Sequence, residues 1–384
     1  MPTTTASEHA VSASVGIRPF AASDSTEVAD LLVRAFDDDD GPAPPRMADY
    51  LREVYLDAPW FDADIASRVL VRPGGGIAGF VGVSALPMSL AGRSLRAAVI
   101  SSLAVDPRHS DPLMGLRLLR DVCSGPQDAM LNDRSNAAAV ALLRSLKGEV
   151  HRHYSFEFVR SLRPAGFAIE SMVSRFKPAR LLAPLARAFD DVTLARSLHS
   201  EAPRWTAPSR ARAAEAFTDR ELPHDELLDL VPRFLAEFPL RPDWTRADLS
   251  RILADASCKA TLGAFVSRVV DAPNGAPVGL FLYHLRKGRV AHVLQIMATK
   301  GREGVVVDRA IGDAAARGAV AIRGRAQPAL LGAWMERRAV FLPELSTVVF
   351  TRDAEVLKHF RDGTAFFCGL AGENWMRLNG DRFS

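Results

Sequence analysis

Apolar and polar positions along the chain switch repeatedly between two periods. Ser67–Val71, Ile77–Ala85 and Leu95–Val105 are short apolar blocks bounded by Gly74-Gly75-Gly76 and Ala91-Gly92-Arg93-Ser94, and they predict three successive strands. Ahead of them, Val15–Phe20 predicts a strand. Two helices should follow it: one capped near Ser23-Asp24 with Val28, Leu31-Leu32 and Ala35-Phe36 on one face, and one over Met47–Tyr55. After Pro107 the period becomes about 3.6: Leu113, Leu116, Leu118-Leu119 and Val122 predict a helix. Strand Ala129–Asn132, helix Ala137–Leu146 and strand His153–Leu162 complete the order β-α-α-β-β-β-α-β-α-β.

That order then returns. Helices are predicted over Asp225–Phe238 and Arg246–Ala256. Strands Thr261–Asp271 and Pro277–Leu285 flank Asn274-Gly275, a dipeptide suited to a type I′ hairpin. Strand Val290–Ala298, helix Val305–Arg317, strand Ala319–Arg323, helix Ala329–Arg338 and strand Ser346–Thr351 follow. Residues 178–212, rich in Pro, Arg and Ala, read as a linker with short helical pieces such as Leu181–Phe189. Two halves with one order of elements point to internal duplication.

Composition narrows the class. The 384 residues are 48% hydrophobic and 24% charged, which excludes a disordered chain and leaves room for two domains. Net charge is only +3, so the balance argues against a nucleic-acid partner. Only six of the 48 basic residues are lysine, an arginine excess that reads first as coding bias. Cys123, Cys258 and Cys368 are far apart, which predicts no disulfide framework and no zinc site. Met1–Val15 has no basic start and apolar run, and no uncharged apolar stretch reaches the roughly 18 residues of a membrane span. The expectation is a cytoplasmic protein without a membrane partner. There is no G-x-x-x-x-G-K-[ST], H-E-x-x-H or G-x-S-x-G motif.

Ser101-Ser102-Leu103-Ala104-Val105-Asp106-Pro107, the loop Arg108–Met114 with Gly115, and the pair Leu118-Leu119 resemble the GCN5-related N-acetyltransferases. In that family an apolar strand ending Val-x-Pro leads into a glycine-rich loop and a helix with paired leucines. Gly125–Asp133, Arg323-Gly324-Arg325 and Leu370-Ala371-Gly372-Glu373-Asn374-Trp375 look like a tandem subgroup of it. The resemblance implies an α/β (α+β) fold of two such domains, each a mixed, mostly antiparallel central sheet flanked by helices. The divisions it suggests are a flexible N-terminus 1–14, an N-terminal domain 15–176 holding the acyl-CoA site, a linker 177–213 and a C-terminal domain 214–384.

It also implies the chemistry. Acetyl-CoA or another acyl-CoA would be the donor substrate, with no metal, and a small-molecule or peptide amine the acceptor. Leu103, Ala104 and Val105 would pair with the pantetheine arm as an added strand. Arg108, His109, Ser110, Met114 and Gly115 would cradle the pyrophosphate at the helix N-terminus, and Asn132 would lie on the neighbouring strand. Of the family's loop pattern only Gly115 fits, since Ser110 and Leu113 stand at its other defined positions. No carboxylate lies in Ile100-Ser101-Ser102 and no tyrosine in helix Asn136–Leu146, where the family keeps its base and acid. Tyr154, Asp133 and Ser102 are therefore the catalytic candidates, with His151 and His153 behind them. Asp37–Asp40 reads first as a solvated charge run closing a helix; in the family's fold the same loop would line the acceptor side and draw a cationic amine. Lys300-Gly301-Arg302-Glu303-Gly304 is the matching loop of the second half, so either half could hold the cofactor, the first matching the pattern at greater length. Two alternatives stay open: a non-catalytic binding or scaffold protein, and a Fem-like aminoacyl-tRNA-dependent ligase. An oligomer is not excluded.

Overall fold

The computed structural model describes residues 16–36, 40–108, 111, 113–173, 178, 182–198 and 216–383. The elements up to residue 123 are β1 (Gly16–Pro19), α1 (Ser25–Phe36), α2 (Pro45–Tyr55), β2 (Arg68–Val71), β3 (Ile77–Leu90), β4 (Arg93–Val105) and α3 (Met114–Cys123). Next come β5 (Ala129–Ser135), α4 (Ala137–Ser145), β6 (Glu149–Val150), α5 (Arg152–Ser155), β7 (Glu157–Ser161), α6 (Pro164–Val173) and α7 (Ala183–Leu198). The remainder is β8 (Thr218–Glu221), α8 (His224–Leu235), β9 (Leu240–Pro242), α9 (Arg246–Ser257), β10 (Ala264–Asp271), β11 (Pro277–Leu285), β12 (Val290–Ala298), α10 (Glu303–Ala316), β13 (Ala321–Arg325), α11 (Leu331–Glu336), β14 (Val340–Leu342), β15 (Ser346–Thr351) and α12 (Ala354–Arg361). The β-α-α-β-β-β-α-β-α order is thus present twice, with the short β9 added between α8 and α9.

The chain forms two compact units. Among the described residues the first holds 16–85, 100–126 and Phe383, and the second holds 86–99 and 127–382. In the first unit β1 runs antiparallel to β2, and β2 to the start of β3. Most of the predicted helix faces are buried: Val28, Leu31 and Leu32 on α1, Tyr50, Leu51, Val54 and Tyr55 on α2, and Leu118, Leu119 and Val122 on α3. Phe36 at the end of α1 and Leu113 just before α3, expected on those faces, are instead exposed because each lies at a helix end. Each such side chain contributes roughly 1.5–3 kcal/mol when fully buried. Gly79 of β3 lets α3 come close: a Cβ there would lie 2.9 Å from Leu118 Cδ1.

In the second unit β5 pairs antiparallel with β15, which also takes β6, while Ala97–Val99 of β4 pair in parallel with Ala129–Leu131. A separate seven-stranded sheet runs β14-β7-β13-β12-β11-β10-β8. Among the described residues its only parallel pair is β12 with β13. One core lies against it, with Phe158 stacked on Trp334 at 3.8 Å beside buried Phe281, Val306, Ile311 and Ile322. Strand pairing therefore crosses the chain's midpoint: β15 joins β5, and β7 joins β13. Both sheets are mixed and mostly antiparallel with helices against them, as expected.

Several local expectations need correction. His153–Leu162 is not one strand. The Ser155 hydroxyl donates to the His151 carbonyl at 2.8 Å, closing a helical turn, and only Glu157–Ser161 is extended. Tyr154 is therefore on α5. Helix α6 was not predicted; the Asp190 carboxylate from α7 accepts from the Ala165 and Gly166 amides at 2.9 and 2.7 Å and caps its start. Helix α7 extends through Leu198, well beyond the short piece expected in the linker.

Candidate functional site

In the first unit the site is built on β4. Ile100, Ser101 and Ala104 are buried, while Ser102, Leu103 and Val105 are half-buried. Strict alternation fails because Ser102 has φ +52°, a left-handed conformation that costs a non-glycine residue roughly 1–2 kcal/mol. Two consecutive side chains, Ser102 and Leu103, thereby reach the partly exposed side. The ladder of β4 with β5 takes in Ala97–Val99, and β4 runs on for Ile100–Val105 beyond it.

Tyr55, at the last turn of α2, reaches this bend. Its hydroxyl lies 2.8 Å from Ser101 Oγ and donates to Ser102 Oγ at 3.4 Å. The ring sits edge-on to Phe20 and Phe80. Gly82 makes room for it, since a Cβ there would fall 2.2 Å from the Tyr55 oxygen. No periodicity marks these residues as partners.

Below Val105 the loop is rich in carboxylates. Buried Asp106 accepts the Arg108 amide at 3.0 Å and lies 3.7 Å from the Arg34 guanidinium. The Arg108 guanidinium pairs with the Asp40 carboxylate. Both side chains are largely exposed, at 56% and 80%, so the pair contributes at most about 1 kcal/mol and exchanges readily for a phosphate. At the start of α3, Asp111 accepts the Leu113 amide at 2.9 Å and lies 3.5 Å from Arg117. That carboxylate stands where a pyrophosphate would meet the helix N-terminus. Met114 and Gly115 are buried beneath it. His109 and Ser110 lie outside the described residues, as do Pro112 and Asp37–Asp39. The strand and Arg108 fit the arm and phosphates of an acyl-CoA, and Asp111 opposes them.

The remaining candidates belong to the second unit. Tyr154 is fully buried; its hydroxyl donates to the Ala365 carbonyl at 2.7 Å and accepts the Ala365 amide at 3.2 Å. Burial raises its pKa far above the ordinary tyrosine value. Asp133 is also fully buried and accepts the Glu373 amide at 3.1 Å and the Asn374 side-chain amide at 3.4 Å. Burial raises its carboxyl pKa. Gly372 is pressed on it: a Cβ would lie 2.0 Å from Asp133 Oδ2. Asn132 Oδ1 accepts the Arg134 amide at 3.1 Å and the Ser135 hydroxyl at 2.5 Å. Tyr154 and Asp133 hold the C-terminal segment, while Asn132 closes a turn at the end of its own strand. Sequence reasoning missed the two titratable groups that complete the cluster. Lys259, buried and brought down to about 7, donates to the Asn374 carbonyl, and burial with the Asp133 charge pushes Glu373 up to about 8. Of the two histidine candidates, His153 Nε2 meets the Phe360 carbonyl at 2.5 Å, and His151 is buried and pushed down to about 4 by desolvation.

The second half's equivalent of the site is filled by its own chain. The β12–β13 ladder stops at Val293 and Gly324. Past it, Leu294, Gln295, Arg325, Cys368 and Gly369 line a cavity of about 10 Å³, room for one water. Gly369 (φ +62°) lies so close that a Cβ would be 2.2 Å from Gln295 Oε1, which accepts the Leu370 amide at 3.1 Å. In Lys300–Gly304 the first two amides are already held by carboxylates, Lys300 by Glu237 and Gly301 by Glu303, each at 3.0 Å. Arg302 lies over the Phe217 ring, and Arg337, bound to Asp308, covers Gly304.

This architecture is the GCN5-related N-acetyltransferase fold. The chain is similar to a conserved protein of unknown function from Enterococcus faecalis V583 named as a probable N-acyltransferase (10% identity, 88% of this chain and 72% of that one, TM-score 0.54). It is similar also to GCN5-related N-acetyltransferases from Anabaena variabilis (10% identity, 88% and 73%, TM-score 0.56) and Kribbella flavida (12%, 90% and 73%, 0.51). No protein-family model and no curated protein matches the chain. Among the described residues no group of His, Cys, Asp or Glu is arranged to hold a metal, and no helix is long and apolar enough to cross a membrane.

Proposed function

We propose that this protein is an acyl-CoA-dependent N-acyltransferase whose donor site lies on β4 and α3. One contrast carries the reading. The strand, loop and helix of the first unit keep a half-buried edge at Leu103–Val105 and an exposed, exchangeable Arg108, whereas their counterparts in the second half are occupied by Cys368–Leu370, Glu237 and Glu303. The amine nitrogen of the acceptor attacks the thioester carbonyl carbon, the C–S bond breaks, CoA leaves as a thiol, and the amine gives up one proton. The acceptor on this reading is an amine, either a small molecule or a peptide. Holding the two reactants in register supplies much of the rate without a dedicated base.

A second reading, a non-catalytic protein of this fold, is favoured by one observation: the Asp111 carboxylate at the α3 N-terminus. Titration calorimetry with acetyl-CoA separates the two. The acyltransferase reading expects binding, weakened roughly tenfold or more by Arg108→Ala, as loss of a charge-assisted contact implies. It expects the double change Lys300→Ala with Arg302→Ala to leave affinity within twofold. No heat and no thermal shift at millimolar acetyl-CoA would leave the non-catalytic reading standing, and loss in the double variant alone would move the site to the second half.

A further inference from the structure

If acyl-CoA lies along β4 with its phosphates towards Arg108, its thioester falls at the opposite end of the segment, at Ser101–Ser102. This is where the backbone bends to φ +52° and where the Tyr55 hydroxyl arrives from α2. We propose that Tyr55 is a positioning residue for acyl transfer, acting through Ser102; the inference rests on the acyltransferase reading above.

The argument is one of hydrogen-bond direction. A phenol has one proton to donate, and a serine hydroxyl both donates and accepts. The 2.8 Å contact of Tyr55 with Ser101 can be donated from either side; in the proposed arrangement Tyr55 donates to Ser102 Oγ at 3.4 Å and Ser101 Oγ–H donates to Tyr55. The chain of donation runs Ser101 to Tyr55 to Ser102. Ser102, having accepted, has its own O–H left to donate, and it alone of the three is half-exposed. A donor fixed at that point meets the thioester carbonyl oxygen as negative charge grows on it in the tetrahedral transition state. No proton or covalent bond is transferred to the chain. Three features hold the arrangement. The Tyr55 ring packs edge-on against both Phe20 and Phe80, which also touch each other, Gly82 offers no Cβ beneath the hydroxyl, and the left-handed Ser102 turns consecutive side chains to one side. Backbone strain of this kind persists where the surroundings over-determine it, which is characteristic of functional sites.

The test uses the full chain, acetyl-CoA and a panel of primary amines, with CoA release read by a thiol reagent and acetyl-CoA binding read by calorimetry. Tyr55→Phe keeps the aromatic packing and removes the donor. It should lower kcat about tenfold while KM and Kd for acetyl-CoA stay within twofold. Ser102→Ala should lower kcat about ten- to a hundredfold, and the double variant should be no slower than Ser102→Ala, because both changes remove one interaction. Ser102→Gly relieves the backbone strain but lacks the hydroxyl, and it should be as slow as Ser102→Ala. Wild-type rates in Tyr55→Phe, or multiplicative losses in the double variant, overturn the positioning role while leaving the acyltransferase reading intact. A parent protein that binds no acetyl-CoA, or binds it and releases no CoA, overturns the role together with that reading.

Discussion

Asp111 is the carboxylate that opposes the proposed donor site, and it lies 3.5 Å from Arg117. It accepts the Leu113 amide in a turn just ahead of α3, and it places a negative charge where a diphosphate would settle. An Asn side chain can accept the same turn hydrogen bond, so Asp111→Asn separates the two effects. The variant should bind acetyl-CoA about five- to tenfold more tightly, as removal of roughly 1 kcal/mol of like-charge repulsion implies, with an unchanged melting temperature. Calorimetry and a thermal melt on the same sample check both halves of that statement. Unchanged affinity would place the phosphates away from the α3 N-terminus. At this scale sequence reasoning put Ser102, Leu103 and Val105 on one strand and Arg108 in the loop after it, where the structure has them, because a strand–loop–helix pattern is local. It did not reach Tyr55, which is 46 residues from Ser101 and is brought there only by the packing of α2. Asp133 and Tyr154 were singled out for their chemistry, but chemistry of residue type says nothing about enclosure, and both are buried tethers of the C-terminal segment.

At the scale of elements, the segment from Ala365 to Asn374 behaves as a strap. It has no helical or strand period to announce it, because it is held through backbone groups: Ala365 by Tyr154, Leu370 by Gln295, Glu373 by Asp133 and Asn374 by Lys259. Its glycines carry the specificity. Gly372→Ala drives a methyl against the enclosed Asp133 carboxylate and should destabilise the protein by about 3 kcal/mol. Gly312→Ala, on α10 with nothing within 4 Å of the added Cβ, should instead stabilise it by about 0.5–1 kcal/mol. Urea denaturation of the two variants distinguishes a fitted strap from general intolerance of glycine substitution; equal midpoints would dismiss the strap. The elements themselves were legible wherever periodicity was strong. The α3 stripe is buried at Leu118, Leu119 and Val122, though Leu113 is exposed. The hairpin between β10 and β11 is present but is not the type I′ turn expected: only Gly275 has positive φ (+79°), and the Gly275 amide donates to the Ala272 carbonyl. Short connectors such as α5 were not, since one hydroxyl at Ser155 decides helix over strand.

At the scale of the molecule, three histidines are kept neutral. Desolvation pushes His151, His284 and His292 down to about 4. Unfolded histidine takes up its proton near pH 6.5, so between 6.5 and 4 the unfolded state binds more protons and each group makes stability fall as pH falls, by about 1.4 kcal/mol per pH unit. Glu373, held protonated up to about 8, acts in the opposite sense from 4.5 to 8: its contribution is lost as pH rises. His284 Nε2 meets the Ala256 carbonyl at 2.9 Å, a contact a glutamine amide reproduces. His284→Gln should therefore flatten the acid limb of a stability–pH curve between 6.5 and 4.5 by about that slope, relative to the parent. Melts at half-unit pH intervals measure it, and parallel curves would mean that His284 is protonated in the native protein. Strand pairing across the chain's midpoint was not legible, because hydrophobic pattern specifies which face of a strand is buried and not which strand lies beside it.

That pairing has a consequence during synthesis. Strand β5 leaves the ribosome some 200 residues before β15, and at 5–20 residues per second the wait is about 10–40 s. For that interval Ala129–Ser135 presents unpaired amides and carbonyls, and β7 likewise waits for β13. A nascent chain of this protein therefore spends longer as an open template for mispairing than its regular, twice-repeated order of elements would suggest, and it is in this window that a holding chaperone has most to cover.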